Sequence, residues 1–97
     1  MESFDSLNDF KDTVAQYYCT TNSEYEITYI PVLKTWFEMR NNPYFQFTLC
    51  VRFERTKKVF EYPTSCPAGH FESLIKDLDS YIRKSYRMNF AKKWLRD

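Results

Sequence analysis

The sequence predicts an α+β fold: an N-terminal helix, a four-stranded antiparallel meander sheet and a C-terminal helix, unbroken or interrupted, with both helices on one face. Two observations carry this expectation. From Phe45 to Phe53 the chain alternates, with Phe45, Phe47, Leu49, Val51 and Phe53 pointing one way and Gln46, Thr48, Cys50 and Arg52 the other. A period of two marks a half-buried strand, because successive side chains leave opposite faces. On either side of it the period changes. Leu7, Phe10, Val14 and Tyr17 form one stripe at helical spacing, and Phe71, Leu74, Ile75, Leu78 and Ile82 form another.

Taken in order, Ser3 to Tyr18 reads as the first helix. Ser3 or Ser6 can cap it, Ser6 with Asp9 approximates a capping box, and Asp5 and Asp9 suit the positive end of the helix dipole. The run Cys19-Thr20-Thr21-Asn22-Ser23 favours a turn. Glu24 to Ile30 alternates as a strand, which Pro31 ends, bulges or places at an edge. Lys34 to Arg40 is the next strand, and Asn41-Asn42-Pro43 is the turn after it. The strand Tyr44 to Phe53, a charged tip and the short strand Val59 to Tyr62 make a hairpin. Sequential strands joined by short turns usually pair as neighbours. Pro63 to Gly69 reads as a loop. A second helix runs from His70 to about Arg87, with Met88-Asn89 as an interruption before a last turn or two at Phe90, Trp94 and Leu95.

Ninety-seven residues, 1–97, are read as a single domain with one core. Aromatic content is 20%, which lets a small sheet hold together without disulfides. The formal net charge of +1 conceals an asymmetry: the first third is acidic, and Arg83, Lys84, Arg87, Lys92, Lys93 and Arg96 crowd the end. Cys19, Cys50 and Cys66 are odd in number and lack CxxC spacing. They fit reduced thiols in a cytoplasmic chain rather than a disulfide framework or zinc ribbon. The opening MESFDSLNDFKD has no basic and apolar signal regions, and no run of eighteen apolar residues suggests a membrane span.

Little in the sequence suggests chemistry. His70 is the only histidine and lies four residues after Cys66, but a structural zinc site needs four ligands. Asp5, Asp9 and Asp12 can share a helix face, without the loop and glycine that a calcium site of EF-hand type requires. No GxGxxG, Walker A, HExxH or GxSxG string occurs, so no enzyme, cofactor or metal is expected. Tyr62-Pro63-Thr64-Ser65-Cys66-Pro67 resembles the YPxxxP string of RWD domains, small α+β interaction modules with a four-stranded meander. In that family a further strand follows the motif; here Gly69 leads directly into a predicted helix, and no membership is inferred.

The expected function is therefore binding: a small cytoplasmic inhibitor, immunity-type protein or adaptor that occludes another protein. The candidate contact residues are Trp36, Arg52, Arg55, Lys57, Lys58, Arg87, Lys92, Lys93 and Trp94, because aromatics and arginines are enriched at binding hot spots. The alternative is a nucleic-acid-binding module that uses the basic C-terminal helix, where Lys and Arg interleave with Tyr86, Phe90 and Trp94. A weaker alternative is an obligate oligomer hiding Trp94 and Leu95. The chain order does not resemble an RRM, and no membrane partner is expected.

Overall fold

The structure, a computed structural model, describes residues 2–39 and 42–95, with side chains outside 32–44, 68 and 89–95. The chain is α+β, with two helices and a four-stranded sheet. Strand β1 (Glu2–Ser3) is followed by helix α1 (Leu7–Thr21), strands β2 (Tyr25–Met39), β3 (Asn42–Phe53) and β4 (Val59–Pro67), a 3-10 turn (Ala68–His70) and helix α2 (Phe71–Leu95). The sheet order is β1-β4-β3-β2. Strands β2, β3 and β4 form an antiparallel meander of three strands rather than the four expected, and the fourth strand, β1, joins β4 in parallel, so the sheet is mixed.

The structure departs from the sequence reading in the first helix, in the strands and in the second helix, each for a local reason. First, α1 runs past Tyr18 to Thr21. The Thr20 and Thr21 hydroxyls donate back to the Tyr17 carbonyl at 3.0 and 2.8 Å, and Asn22 closes the helix in the left-handed conformation at φ 50°. At the other end α1 begins at Leu7 rather than at Ser3, which lies in β1, and Ser6 is the cap, accepting from the Asp9 amide. Second, the two strands expected on either side of Pro31 are one strand, with a register shift between Pro31 and Trp36. Likewise β4 continues through Pro63 to Pro67 instead of opening into a loop, and Pro43 lies in β3 rather than in the turn. Asn41 of the expected turn, and Arg40 at the end of the expected strand before it, lie outside the described residues. Third, α2 continues through Met88 and Asn89 to Leu95. Neither residue is Gly or Pro, and each costs at most about 0.7 kcal/mol in a helix relative to Ala.

The prolines follow one rule. Glu54 N–H donates to the Glu24 carbonyl at 2.7 Å and Phe53 N–H to the Lys58 carbonyl at 2.9 Å. In an antiparallel ladder the residues that exchange hydrogen bonds alternate. These two bonds therefore aim Glu24, Glu26, Thr28 and Ile30 of the β2 side at β3, and Phe47, Leu49, Val51 and Phe53 at β4. Pro31, paired with Phe47 in the same unbroken register, falls where its nitrogen faces away from β3. Pro63, paired with Thr48, does the same on β4. Each proline lacks an amide that the β3 ladder would not have used.

The alternation in β3 places the core as expected. Phe47, Leu49, Val51 and Phe53 are buried with Phe60 of β4, Phe10 and Val14 of α1, and Leu78 and Ile82 of α2. Phe45 departs from the pattern at 37% exposure. It sits toward the end of the sheet, where its described ring neighbour is Phe71, 5.7 Å away. The rings interlock at both ends: Tyr17 meets Phe53 edge-on at 4.7 Å, and Phe71 lies 4.7 Å from Phe47 and 4.9 Å from Tyr29. Such aromatic pairs add to plain area burial, which is large in a chain of this size.

Candidate protein-binding face

With both helices on the core face of the sheet, its other face is uncovered. Register places Glu26, Arg52 and Val59 in one row across three strands, Thr28, Cys50 and Glu61 in the next, and Ile30, Thr48 and Pro63 in the third, followed by Gln46 and Ser65. Glu26, Thr28, Ile30, Gln46, Arg52, Pro63 and Ser65 are exposed. Ile30 is 55% exposed, a large aliphatic side chain standing out from a largely polar surface. Cys50 is nearly covered, flanked by Thr28 and Glu61, and its Sγ lies 3.7 Å from the Thr48 carbonyl. Burial, reinforced by the negative charge of Glu61, pushes its thiol pKa up; burial does the same to Cys66. Raised thiols make poor nucleophiles.

The predicted contact residues do not form one patch. Arg52 lies on the open face, at the end of the sheet nearest the β3–β4 turn. Arg55, Lys57 and Lys58 belong to that turn, and all three have intramolecular roles, Arg55 and Lys58 through their side chains and Lys57 through its backbone. Arg55 Nη2 donates to the Thr21 carbonyl at 2.5 Å, where a cation suits the negative end of α1. Lys58 pairs with Glu2 at 3.1 Å, tying β1 to the sheet. Lys57 closes the turn with a positive φ of 59°, its amide donating to the Phe53 carbonyl. Arg87 is exposed on α2, across the sheet from Arg52. The backbone places Trp36 opposite Phe45 in β2, and Lys92, Lys93 and Trp94 in the last turns of α2. The side chains of these four lie outside the described residues.

Sequence reasoning missed Ser23, the buried polar residue beneath the turn, at 3% exposure. Its Oγ accepts from the Arg55 amide at 2.9 Å and donates to the Glu24 carbonyl at 3.3 Å. Nothing in a CTTNS string marks which hydroxyl will be enclosed. Ser23→Ala should lower stability by about 1 kcal/mol, the usual worth of a buried hydrogen bond. A urea titration measures it, with an unchanged midpoint as the contrary result.

Among the described residues no group of three or more His, Cys, Asp or Glu side chains could hold a metal ion. Nor is any helix among the described residues long and apolar enough to cross a membrane. The depression on the open face, lined by Gln46, Phe47, Pro63, Thr64 and Ser65, measures about 420 Å³ and is shallow. Small-molecule sites enclose most of their ligand, and this depression does not. No family model, no curated protein and no solved structure matches the chain.

Proposed function

We propose that the chain is a small, non-catalytic protein-binding module that works by covering a surface of its partner, as an inhibitor, immunity-type protein or adaptor does. The supporting observation is the open sheet face, where Ile30 stands beside Thr48 and Pro63, one strand from Arg52, with no helix over them. An antiparallel sheet with one wet face normally alternates cleanly between apolar inside and polar outside. Ile30 breaks that alternation on the solvent side. An aliphatic anchor with an arginine and a rim of Thr, Gln and Ser is the composition of a protein interface rather than of a catalytic cleft.

The competing nucleic-acid reading rests on Lys84 and Arg87, both exposed on α2. Arg83 is less available to a phosphate, since it already holds Asp79 at 3.1 Å. Titration with random-sequence single- and double-stranded oligonucleotides near physiological salt separates the two readings. No saturable binding is expected. Sub-micromolar binding whose salt dependence flattens on charge reversal of Lys92 and Lys93 would replace the protein-binding reading with the nucleic-acid one.

A further inference from the structure

The sheet order leaves β2 at an edge. Its ladder to β3 uses Glu24, Glu26, Thr28 and Ile30, so the amides and carbonyls of Tyr25, Ile27 and Tyr29 face outward, beside the outward carbonyl of Pro31. Native edges are blunted by prolines, bulges and lysines. On β2 those devices begin only at Pro31, with the register shift that follows it and Lys34. The stretch Tyr25 to Ile30 has none of them and consists of tyrosine, isoleucine and threonine around one glutamate. Those residue types favour strand pairing.

We infer that two copies of the chain pair through this edge, antiparallel about a two-fold axis at Ile27. The occupant follows from self-complementarity, which selects a single register. With Ile27 opposite Ile27 of the second copy, Tyr25 faces Tyr29, Glu26 faces Thr28 and Glu24 faces Ile30. All three outward amides donate and all three matching carbonyls accept. Sliding the pairing toward the N-terminus sets Glu26 against Glu26, or Glu24 against Glu26, and like charges directly opposed destabilise a sheet. Sliding it toward the C-terminus sets Pro31 against Tyr25 or Ile27, whose carbonyl then meets no donor. Only the Ile27 register avoids both faults. A groove of about 300 Å³ between Tyr25 and Ile27 and the α2 residues Ile75, Lys76, Asp79 and Arg83 borders the same edge. Tyr29, 46% exposed with one side of its ring on Phe71, stands opposite Tyr25 and so borders the groove of the other copy. The pairing goes beyond the proposed function and does not depend on it.

Sedimentation equilibrium on the full chain from about 1 to about 100 µM, a range that brackets micromolar affinity, tests the inference. The wild-type mass should double across the range. Thr28→Glu, on the exposed face, sets a carboxylate against Glu26 of the second copy and should hold the chain monomeric. The double variant Glu26→Lys/Thr28→Glu should restore the dimer. Should a variant fail to fold, hydrogen exchange on the wild type still decides. The Tyr25, Ile27 and Tyr29 amides should slow roughly tenfold or more with concentration while Glu26, Thr28 and Ile30 do not change, since only the former gain a partner. A wild-type monomer at the top of the range, a dimer indifferent to Thr28→Glu, or protection without this alternation would overturn the inference. Alternating protection that appears only on adding another protein would assign the edge to a different strand.

Discussion

Phe47→Ala should destabilise the chain by roughly 3–5 kcal/mol, the range for removing a buried phenylalanine side chain and leaving a cavity. Phe47 is 1% exposed, at the centre of β3, and its ring is contacted by Phe71 at the start of α2 and Tyr29 on β2. Removing it takes away ring contacts from β3 to both α2 and β2. The loss is comparable to much of a small domain's total stability, so the variant should be largely unfolded at 37 °C. Phe45→Ala, one pleat away and 37% exposed, should cost far less. Equal losses at the two positions in chemical denaturation would mean that the sheet is covered differently at this end.

The second large effect is alkaline. The Tyr25 hydroxyl donates to Asp79, which also receives Arg83, so one carboxylate links β2 to α2. Burial first, and then the hydrogen bond and charge of Asp79, push the Tyr25 pKa well above its ordinary value. Tyr81, donating to Asp12 of α1, is raised as well, chiefly through that hydrogen bond. A tyrosine with a raised folded pKa keeps its proton more tightly when folded. Its contribution is complete below the unfolded value near 10 and is lost as pH climbs from there toward the folded value. Stability should therefore fall above pH 10. Tyr25→Phe should cost about 1.5 kcal/mol at neutral pH, the low end for a hydrogen bond to a charged partner, since Asp79 keeps part of its hydration. It should also lose less on going from pH 9 to pH 11. An alkaline loss identical in wild type and Tyr25→Phe would show that Tyr25 ionises as freely folded as unfolded.

Where pattern alone sufficed, the sequence was readable. The alternation of Phe47 to Phe53 and the stripe of Phe10 and Val14 fix the core, because side-chain period depends only on local geometry. The prolines were not readable in the same way. Pro31 leaves a strand end, a bulge and an edge open, and Pro63 suggests a loop, until one knows which amides face a neighbouring strand, and that depends on register, a property of two strands rather than one. The two-residue strand β1 is too short to show any period, and it exists because Lys58 and the Glu61 carbonyl receive Glu2 and Phe4. The basic turn illustrates the limit for the binding face. Arg52 and Arg55 are three residues apart and alike in type, yet one stands on the open face and the other caps a helix. Composition cannot separate a cation available to a partner from one already engaged.

The protein-binding reading meets its most direct test in affinity capture from native cell extract with three baits: wild type, Ile30→Asp/Arg52→Glu on the open face, and Lys84→Glu/Arg87→Glu on α2. All three should melt at similar temperatures, because the substituted side chains are exposed. The expected result is a partner protein that survives nuclease treatment, is retained by the α2 variant and is lost with the open-face variant. Capture that disappears with nuclease, or that survives Ile30→Asp/Arg52→Glu and fails with Lys84→Glu/Arg87→Glu, would contradict the account.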